Sequence, residues 1–168
     1  MENKEISMLD VLVQTHIGLE RQGPGSTAMT VKALSFIDNL NADSQILDLG
    51  CGTGGQTIIL AQNTTGKIIG IDQFPDFVSV LCENAQKLNL RERVSGIVGD
   101  IKSMDNLSLP KGEIDVVWCE GVLDRNGFED ALTHWNSFLK KGGYGGKPCL
   151  AGVSPCQSSI FWQNYLSS

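Results

Sequence analysis

Gln45-Ile46-Leu47-Asp48-Leu49-Gly50-Cys51-Gly52-Thr53-Gly54-Gly55 is the stretch whose reading decides the fold. Ile46, Leu47 and Leu49 form a short apolar run without helical period, and Gly50 ends it, so the run reads as a buried strand entering a tight turn. Gln56 to Ala61 behind the turn reads as a helix. Gly50, Gly52 and Gly54 allow positive φ and let a ligand lie against bare main chain, while the following helix directs its free N–H groups and positive dipole end at the same place. Gly50, Gly52 and Gly55 alone match GxGxxG only weakly. The next strand, Lys67 to Ile71, strengthens the pattern because it ends in Asp72, roughly 20 residues after the first glycine, where dinucleotide folds hold a ribose.

The run Asp48-Leu49-Gly50-Cys51-Gly52-Thr53-Gly54-Gly55 resembles the first motif of class I S-adenosylmethionine-dependent methyltransferases, an acidic residue followed by GxGxG. The resemblance continues through Gly70-Ile71-Asp72, Val98-Gly99-Asp100, Asp115 to Glu120 and the Leu139-Lys140-Lys141-Gly142-Gly143 turn, covering roughly residues 27 to 144. It implies an α/β fold of the Rossmann-like, doubly wound kind, with a mostly parallel sheet, helices on both faces and incomplete C-terminal strands. It also implies methyl transfer from S-adenosylmethionine to a small-molecule acceptor. By the same resemblance, the backbone of Gly50, Gly52 and Gly54 fixes the methionine half of the cofactor and Asp48 partners its ammonium. Asp72, followed by Gln73, accepts the ribose hydroxyls, and Asp100 with the Ile101 backbone faces the adenine edge. Glu120 follows the fourth strand, where the family places its reacting methyl group; it binds cofactor or substrate, or is simply a solvated strand-end acid. The implied domains are an N-terminal helical cap (1–44), a cofactor-binding core (45–144) and an atypical tail (145–168).

Composition narrows the partners. A formal charge of −6 without a Lys/Arg cluster repels a phosphate backbone, so nucleic acid is not the expected substrate. No apolar run approaches the ~20 residues of a membrane span, and the polar start Met1-Glu2-Asn3-Lys4-Glu5 suits a cytoplasmic protein. Five cysteines without CxxC spacing and two histidines argue against a zinc site and for reduced thiols.

Outward from the glycine stretch, Ile6 to Val13 reads as a short helix with Leu9, Leu12 and Val13 on one face, either docked on the core or lying over the site as a lid. Leu19 to Ser26 is a loop by its Gly23-Pro24-Gly25 centre. Arg21 in it is either linker or within reach of a ligand's carboxylate, that of the cofactor's methionine end or that of the substrate. A helix capped by Ser26 or Thr27 follows, with Met29, Val31, Leu34, Phe36, Ile37 and Leu40 available for burial. Beyond Asp72, Pro75 opens a helix with the stripe Phe77, Val78, Val80, Leu81, Ala85 and Leu88, and Val94 to Val98 is the third strand. Ile114 to Cys119, apolar in four consecutive side chains from Val116, reads as a strand covered on both faces. Gly127 to Leu139 reads as an amphipathic helix, with Lys140 and Lys141 complementing its negative end and Gly142 stopping it.

Methyl transfer asks little of a protein. A sulfonium already makes its methyl carbon electrophilic, and holding the nucleophile aligned supplies about 7–11 kcal/mol. Glu120 and His16 are the candidates for a catalytic base, whereas His134, mid-helix beside Trp135, reads as a packing residue. Two rivals share the motif. A nicotinamide-dependent oxidoreductase would use the same glycines and Asp72, but Asp48 would add negative charge near its pyrophosphate, and about forty residues precede the fingerprint. A cofactor-binding domain with impaired catalysis fits the unusual C-terminus.

That C-terminus departs from the family pattern of a fifth strand, a helix and an antiparallel strand pair. Tyr144-Gly145-Gly146-Lys147-Pro148 interrupts strand character, leaving Cys149 to Val153 as a poor substitute. The 15 residues from Ser154 to Ser168 fall short of the on the order of 30 that the pattern needs, so a truncated chain with an improvised tail at Gln157 to Leu166 and an exposed sheet edge is expected.

Overall fold

The computed structural model of the chain describes residues 7–23, 25–120, 133–147 and 160–163. Apolar runs and helical stripes alternate, as the sequence predicts as far as β4: α1 (Met8–His16), α2 (Thr27–Leu34), β1 (Gln45–Leu49), α3 (Gly55–Asn63), β2 (Lys67–Asp72), α4 (Pro75–Lys87), β3 (Val94–Val98), a 3-10 turn (Met104–Asn106), β4 (Ile114–Trp118), β5 (Leu139–Lys147) and β6 (Ile160–Gln163). They build one six-stranded sheet in the order β3-β2-β1-β4-β5-β6. Strands β1 to β5 pair in parallel, and β6 returns antiparallel to β5. This is the Rossmann-like, doubly wound architecture that the sequence implies. The strand order reverses between β1 and β4, which opens a crevice at their carboxyl ends.

Side chains alternate across the sheet and divide the core in two. Ile46, Ile68, Val116 and Trp118 pack with Ala33, Leu34, Leu60, Leu81 and Ala85 under α2, α3 and α4. Leu47, Leu49, Ile71, Val117 and Cys119 pack on the other face with Met104, Trp135, Phe138 and Leu139. The caps follow the sequence. Ser26 accepts the Met29 N–H at 3.3 Å to start α2, and Ser7 with Asp10 forms a capping box on α1. Helix α2 stops at Leu34 and turns Thr30, Ala33 and Leu34 inward, which leaves Val31 exposed; beyond its end Phe36 is exposed and Ile37 is inside. Leu88 on α4 is also exposed, and on α1 only Val13 is buried.

The C-terminal part corrects the sequence reading. Strand β5 runs through the glycines at 142, 143, 145 and 146, with Val116 opposite Tyr144, Val117 opposite Gly145 and Trp118 opposite Gly146. Pairing with β4 is made by backbone groups, which glycine supplies as well as any residue, so a formed neighbour overrides poor strand propensity. The Lys140 to Gly143 turn becomes an irregularity within β5, where the register shifts between Ile114 and Val116 and Gly142 has φ +79°. A Cβ at Gly143 would stand 3.0 Å from the Ile114 and Lys140 carbonyl oxygens. The helical residues 133–136 give way to β5 at Leu139, where Gly112 and Ile114 donate to the Ser137 and Phe138 carbonyls and draw the chain into the sheet; the start of the helix expected at 127–139 lies outside the described residues. Lys140 accordingly bonds both Asp115 carboxylate oxygens, at 2.9 and 3.0 Å, instead of capping that helix. Part of the tail, Ile160–Gln163, pairs along β5 and covers the edge expected to be open. The substitute strand placed at 149–153 lies outside the described residues.

Gly70 joins the core to the glycine loop. A Cβ there would lie 2.6 Å from Leu81 Cδ2 and 2.9 Å from Cys51 Cβ, so the bare strand is what lets the loop close on β2. Gly70→Ala is expected to destabilise the chain by about 1–3 kcal/mol, the usual effect of overpacking a filled core. Chemical denaturation measures it, and an unchanged midpoint would show that Cys51 and Leu81 have room to retreat.

Candidate functional site

The turn after β1 folds onto the end of β2. Gly50 and Cys51 both donate to the Ile71 carbonyl, at 2.7 and 3.1 Å, and Gly52 donates to Asp72 Oδ2 at 2.9 Å. Gly50, Gly52 and Gly54 have φ of 74°, 54° and 94°, as the sequence predicts. Gly54 is the N-cap of α3 and offers no side chain to the first helical turn. The loop's own N–H groups are less free than expected: Thr53 donates to Gln22 Oε1 at 2.8 Å and Gly54 to the Cys51 carbonyl at 2.9 Å.

The three strand-end acids sit in different environments. Asp72 is 9% exposed at the crevice, and its second oxygen accepts the Phe74 N–H at 3.0 Å. Gln73 beside it is exposed. Asp100 is exposed and turns the chain by accepting the Lys102 N–H at 2.9 Å, while the Ile101 carbonyl accepts from Trp135 Nε1 at 3.1 Å. Asp48 is 0% exposed. Its carboxyl accepts the Thr57 hydroxyl at 2.5 Å and Gln56 Nε2 at 3.4 Å, beneath the loop, so in this conformation it meets α3 rather than a ligand's ammonium. Strand parity accounts for this. Asp48 shares a face with Ile46, which packs toward α2 and α3.

Glu120 is 5% exposed, not a solvated strand-end acid. Its Oε1 accepts Arg21 Nη1 at 2.7 Å, and its Oε2 accepts the Thr30 hydroxyl at 3.0 Å and Trp118 Nε1 at 3.3 Å. Arg21 Nη2 closes the triangle on Thr30 at 3.1 Å. The carboxylate that Arg21 reaches is therefore the protein's own. The segment carrying Arg21 lies on the loop, since a Cβ at Gly55 would meet the Glu20 carbonyl and Arg21 Cα. His16 holds the Leu12 carbonyl of its own helix through Nδ1 at 2.8 Å. His134 packs edge-on against Phe138, 3.6 Å from Asp105, in the packing role its sequence neighbours suggest. Thr30, Gln56, Thr57 and Gln22 carry no motif, and only proximity in the fold brings them here. Between α1 and the start of α4 lies a cleft of about 160 Å³ lined by Leu9, Asp10, Val13, Gln14, Phe74, Pro75 and Asp76.

Residues 40–145 of the 168 match the methyltransferase domain family, and the chain belongs to that family. It is 33% identical over 92 residues to a probable cobalt-precorrin-6B C(15)-methyltransferase (decarboxylating) of Methanobrevibacter smithii, an alignment covering 51% of this chain and 48% of the relative. It is 26% identical over 115 residues to a ribosomal protein L11 methyltransferase of Vibrio cholerae, covering 62% and 39%. Among solved structures, geranyl diphosphate C-methyltransferase from Streptomyces coelicolor, with Mg2+, geranyl diphosphate and S-adenosyl-L-homocysteine, superposes with a TM-score of 0.66 at 18% identity, over 72% of this chain and 44% of the other. The chain thus spans about half the length, or less, of these proteins.

Burial raises the Asp48 carboxyl from 3.8 to about 7, against the opposing bonds from Thr57 and Gln56; the nearby charge of Glu120 adds to the rise and Arg21 counters it. With the folded value above the unfolded one, the native state keeps a proton that the unfolded chain releases. The resulting stability is complete below about pH 4 and is lost as pH rises through about 7. Asp48→Asn is expected to flatten the pH dependence of unfolding across this window, by on the order of 4 kcal/mol at most. Denaturation curves of both proteins at several pH values test it, and parallel profiles would show that Asp48 is ionised in the fold.

Proposed function

We propose that this chain binds S-adenosylmethionine at the carboxyl edge of its sheet and passes the methyl group to a small-molecule acceptor. The observation that carries the reading is Asp72, held at the end of β2 by the Gly52 and Phe74 N–H groups at the mouth of a loop of positive-φ glycines. A carboxylate offers about four acceptor positions, so two are left for a pair of ribose hydroxyls. Gly50 and Gly52 leave bare backbone for the methionine half, and Gln73, Asp100 and Ile101 border the adenine side. When bound, the cofactor supplies an electrophilic methyl carbon. The chain's own contribution is to hold the two reactants in line.

In this assignment Asp48 supports the loop from below and Glu120 positions the cap, so neither is the base. Residues 1–44 form the cap, 45–144 the cofactor-binding core and 145–168 the tail. The −6 charge favours a small acceptor over nucleic acid. The names of the relatives give a cobalt-precorrin in one case and ribosomal protein L11 in another. A cytoplasmic setting accords with the absence, among the described residues, of a helix long and apolar enough to cross a membrane and of a disulfide at Cys51, Cys82 or Cys119. A cofactor-binding domain without turnover is the second reading, favoured by the engagement of both candidate bases, Glu120 and His16. The charge argument against a dinucleotide is weaker than the sequence suggests, because Asp48 holds its proton up to about 7. Family membership is what sets the oxidoreductase aside.

Titration calorimetry with S-adenosylmethionine, S-adenosylhomocysteine and NAD separates these readings. Binding of the first two and not of NAD is expected, with Asp72→Ala weakening affinity about a hundredfold or more, as two hydrogen bonds to a charged acceptor warrant. Preference for NAD would overturn the proposal, and unchanged affinity in the variant would remove Asp72 from the site.

A further inference from the structure

We propose that Gln22 is a positioning residue for cofactor binding, whose side-chain amide fastens the glycine loop to the turn after α1 and holds the loop in its ligand-receiving form. The proposal rests on the reading above that this loop is the cofactor site. Gln22 Oε1 accepts the Thr53 N–H at 2.8 Å and the Thr53 hydroxyl at 3.0 Å. Its Nε2 donates to the His16 carbonyl at 3.1 Å and to the Leu19 carbonyl at 3.0 Å. A carboxamide has two donor hydrogens and two acceptor lone pairs, and here all four are used. The arrangement also fixes which way the amide faces. Reversed, its NH₂ would confront the Thr53 N–H and its oxygen would confront two carbonyls.

The two N–H groups at the centre of the loop are thus tied in different directions. Gly52 is bound to Asp72 at the sheet edge, and Thr53, one residue later, is bound to Gln22 in the cap. The Thr53 carbonyl is held from a third side by Asn84 Nδ2 of α4, at 3.2 Å. Thr53 is only 3% exposed, so its N–H serves Gln22 rather than a ligand. Gly52 has to be glycine for this contact as well as for its φ of 54°, because a Cβ there would collide with Gln22 Oε1. Gln22 therefore acts on the site through Thr53 and Gly52, without touching the ligand itself.

The test compares the whole chain with Gln22→Ala and with Gln22→Met, which keeps similar length but neither donates nor accepts. Two readouts are taken where all three proteins are fully folded: hydrogen exchange at the Thr53 amide and S-adenosylmethionine affinity by calorimetry. Both variants are expected to lose about tenfold or more in Thr53 protection and about tenfold in affinity, with β2 amides unchanged, as loss of these hydrogen bonds implies. A merely structural glutamine would lower the melting temperature and leave the affinity of the folded protein alone; that outcome overturns the proposal while the cofactor reading stands. Failure of the unaltered chain to bind S-adenosylmethionine overturns both, and the exchange data then show whether the latch itself exists.

Discussion

The end of β2 receives three consecutive N–H groups from the turn after β1, two on the Ile71 carbonyl and one on the Asp72 carboxylate, and the geometry of the site follows from that junction. Bringing three successive N–H groups to adjacent acceptors bends the chain into left-handed conformations at Gly50 and Gly52. It also presses Cys51 against β2, which requires a strand residue without a side chain at Gly70. The turn then delivers Gly54 as the cap of α3, so the helix start is aimed by β2 rather than by its own sequence. Sheet, loop and helix are one construction, and a change in any of them reaches Asp72.

On the face toward α2 and α3, the construction buries two carboxyl groups, Asp48 and Glu120, near a single guanidinium. Two buried anions with one cation would be costly, since desolvation opposes each charge and the anions repel one another. The fold resolves this by dividing the roles. Glu120 takes Arg21, Thr30 and Trp118 as partners, whereas Asp48 takes uncharged partners and burial raises its carboxyl to about 7. A buried ion pair is weak evidence for stability, and the Arg21–Glu120 pair is better understood as register. It joins the loop between α1 and α2 to the residues that follow β4.

How much of this the sequence disclosed depends on the range of each interaction. β1 to β4 were legible because their apolar runs are local and bounded by glycine, proline or charge, and the three positive-φ glycines because only glycine suits a turn so tight. The burial of Asp48 was read otherwise: the motif resemblance pointed it at a ligand's ammonium, although strand alternation puts it, two residues after Ile46, on the face toward the same helices. The triangle of Arg21, Thr30 and Glu120 was not legible, because its members are separated by up to 99 positions and neither Arg21 nor Thr30 belongs to a motif. Gln22 gave no signal beyond standing next to Arg21. Strand β5 was misread for a different reason. Its glycines argue against a strand in isolation, but β4 was already in place to pair with them, and propensity is the weaker term once a template exists.

The same distinction of range separates the two halves of the chemistry. Everything proposed to hold the cofactor lies on strand ends and loops between residues 20 and 120, where each group is fixed by neighbours that themselves build the sheet. Proteins whose names give substrates as unlike as a cobalt-precorrin and ribosomal protein L11 align with this chain over partial stretches of it. An acceptor pocket is under no such constraint, because segments that follow a finished strand contribute side chains without completing the sheet. Here the stretch that matches the family ends at residue 145, inside β5. Family likeness therefore reports on the stretch that builds the sheet as far as β5.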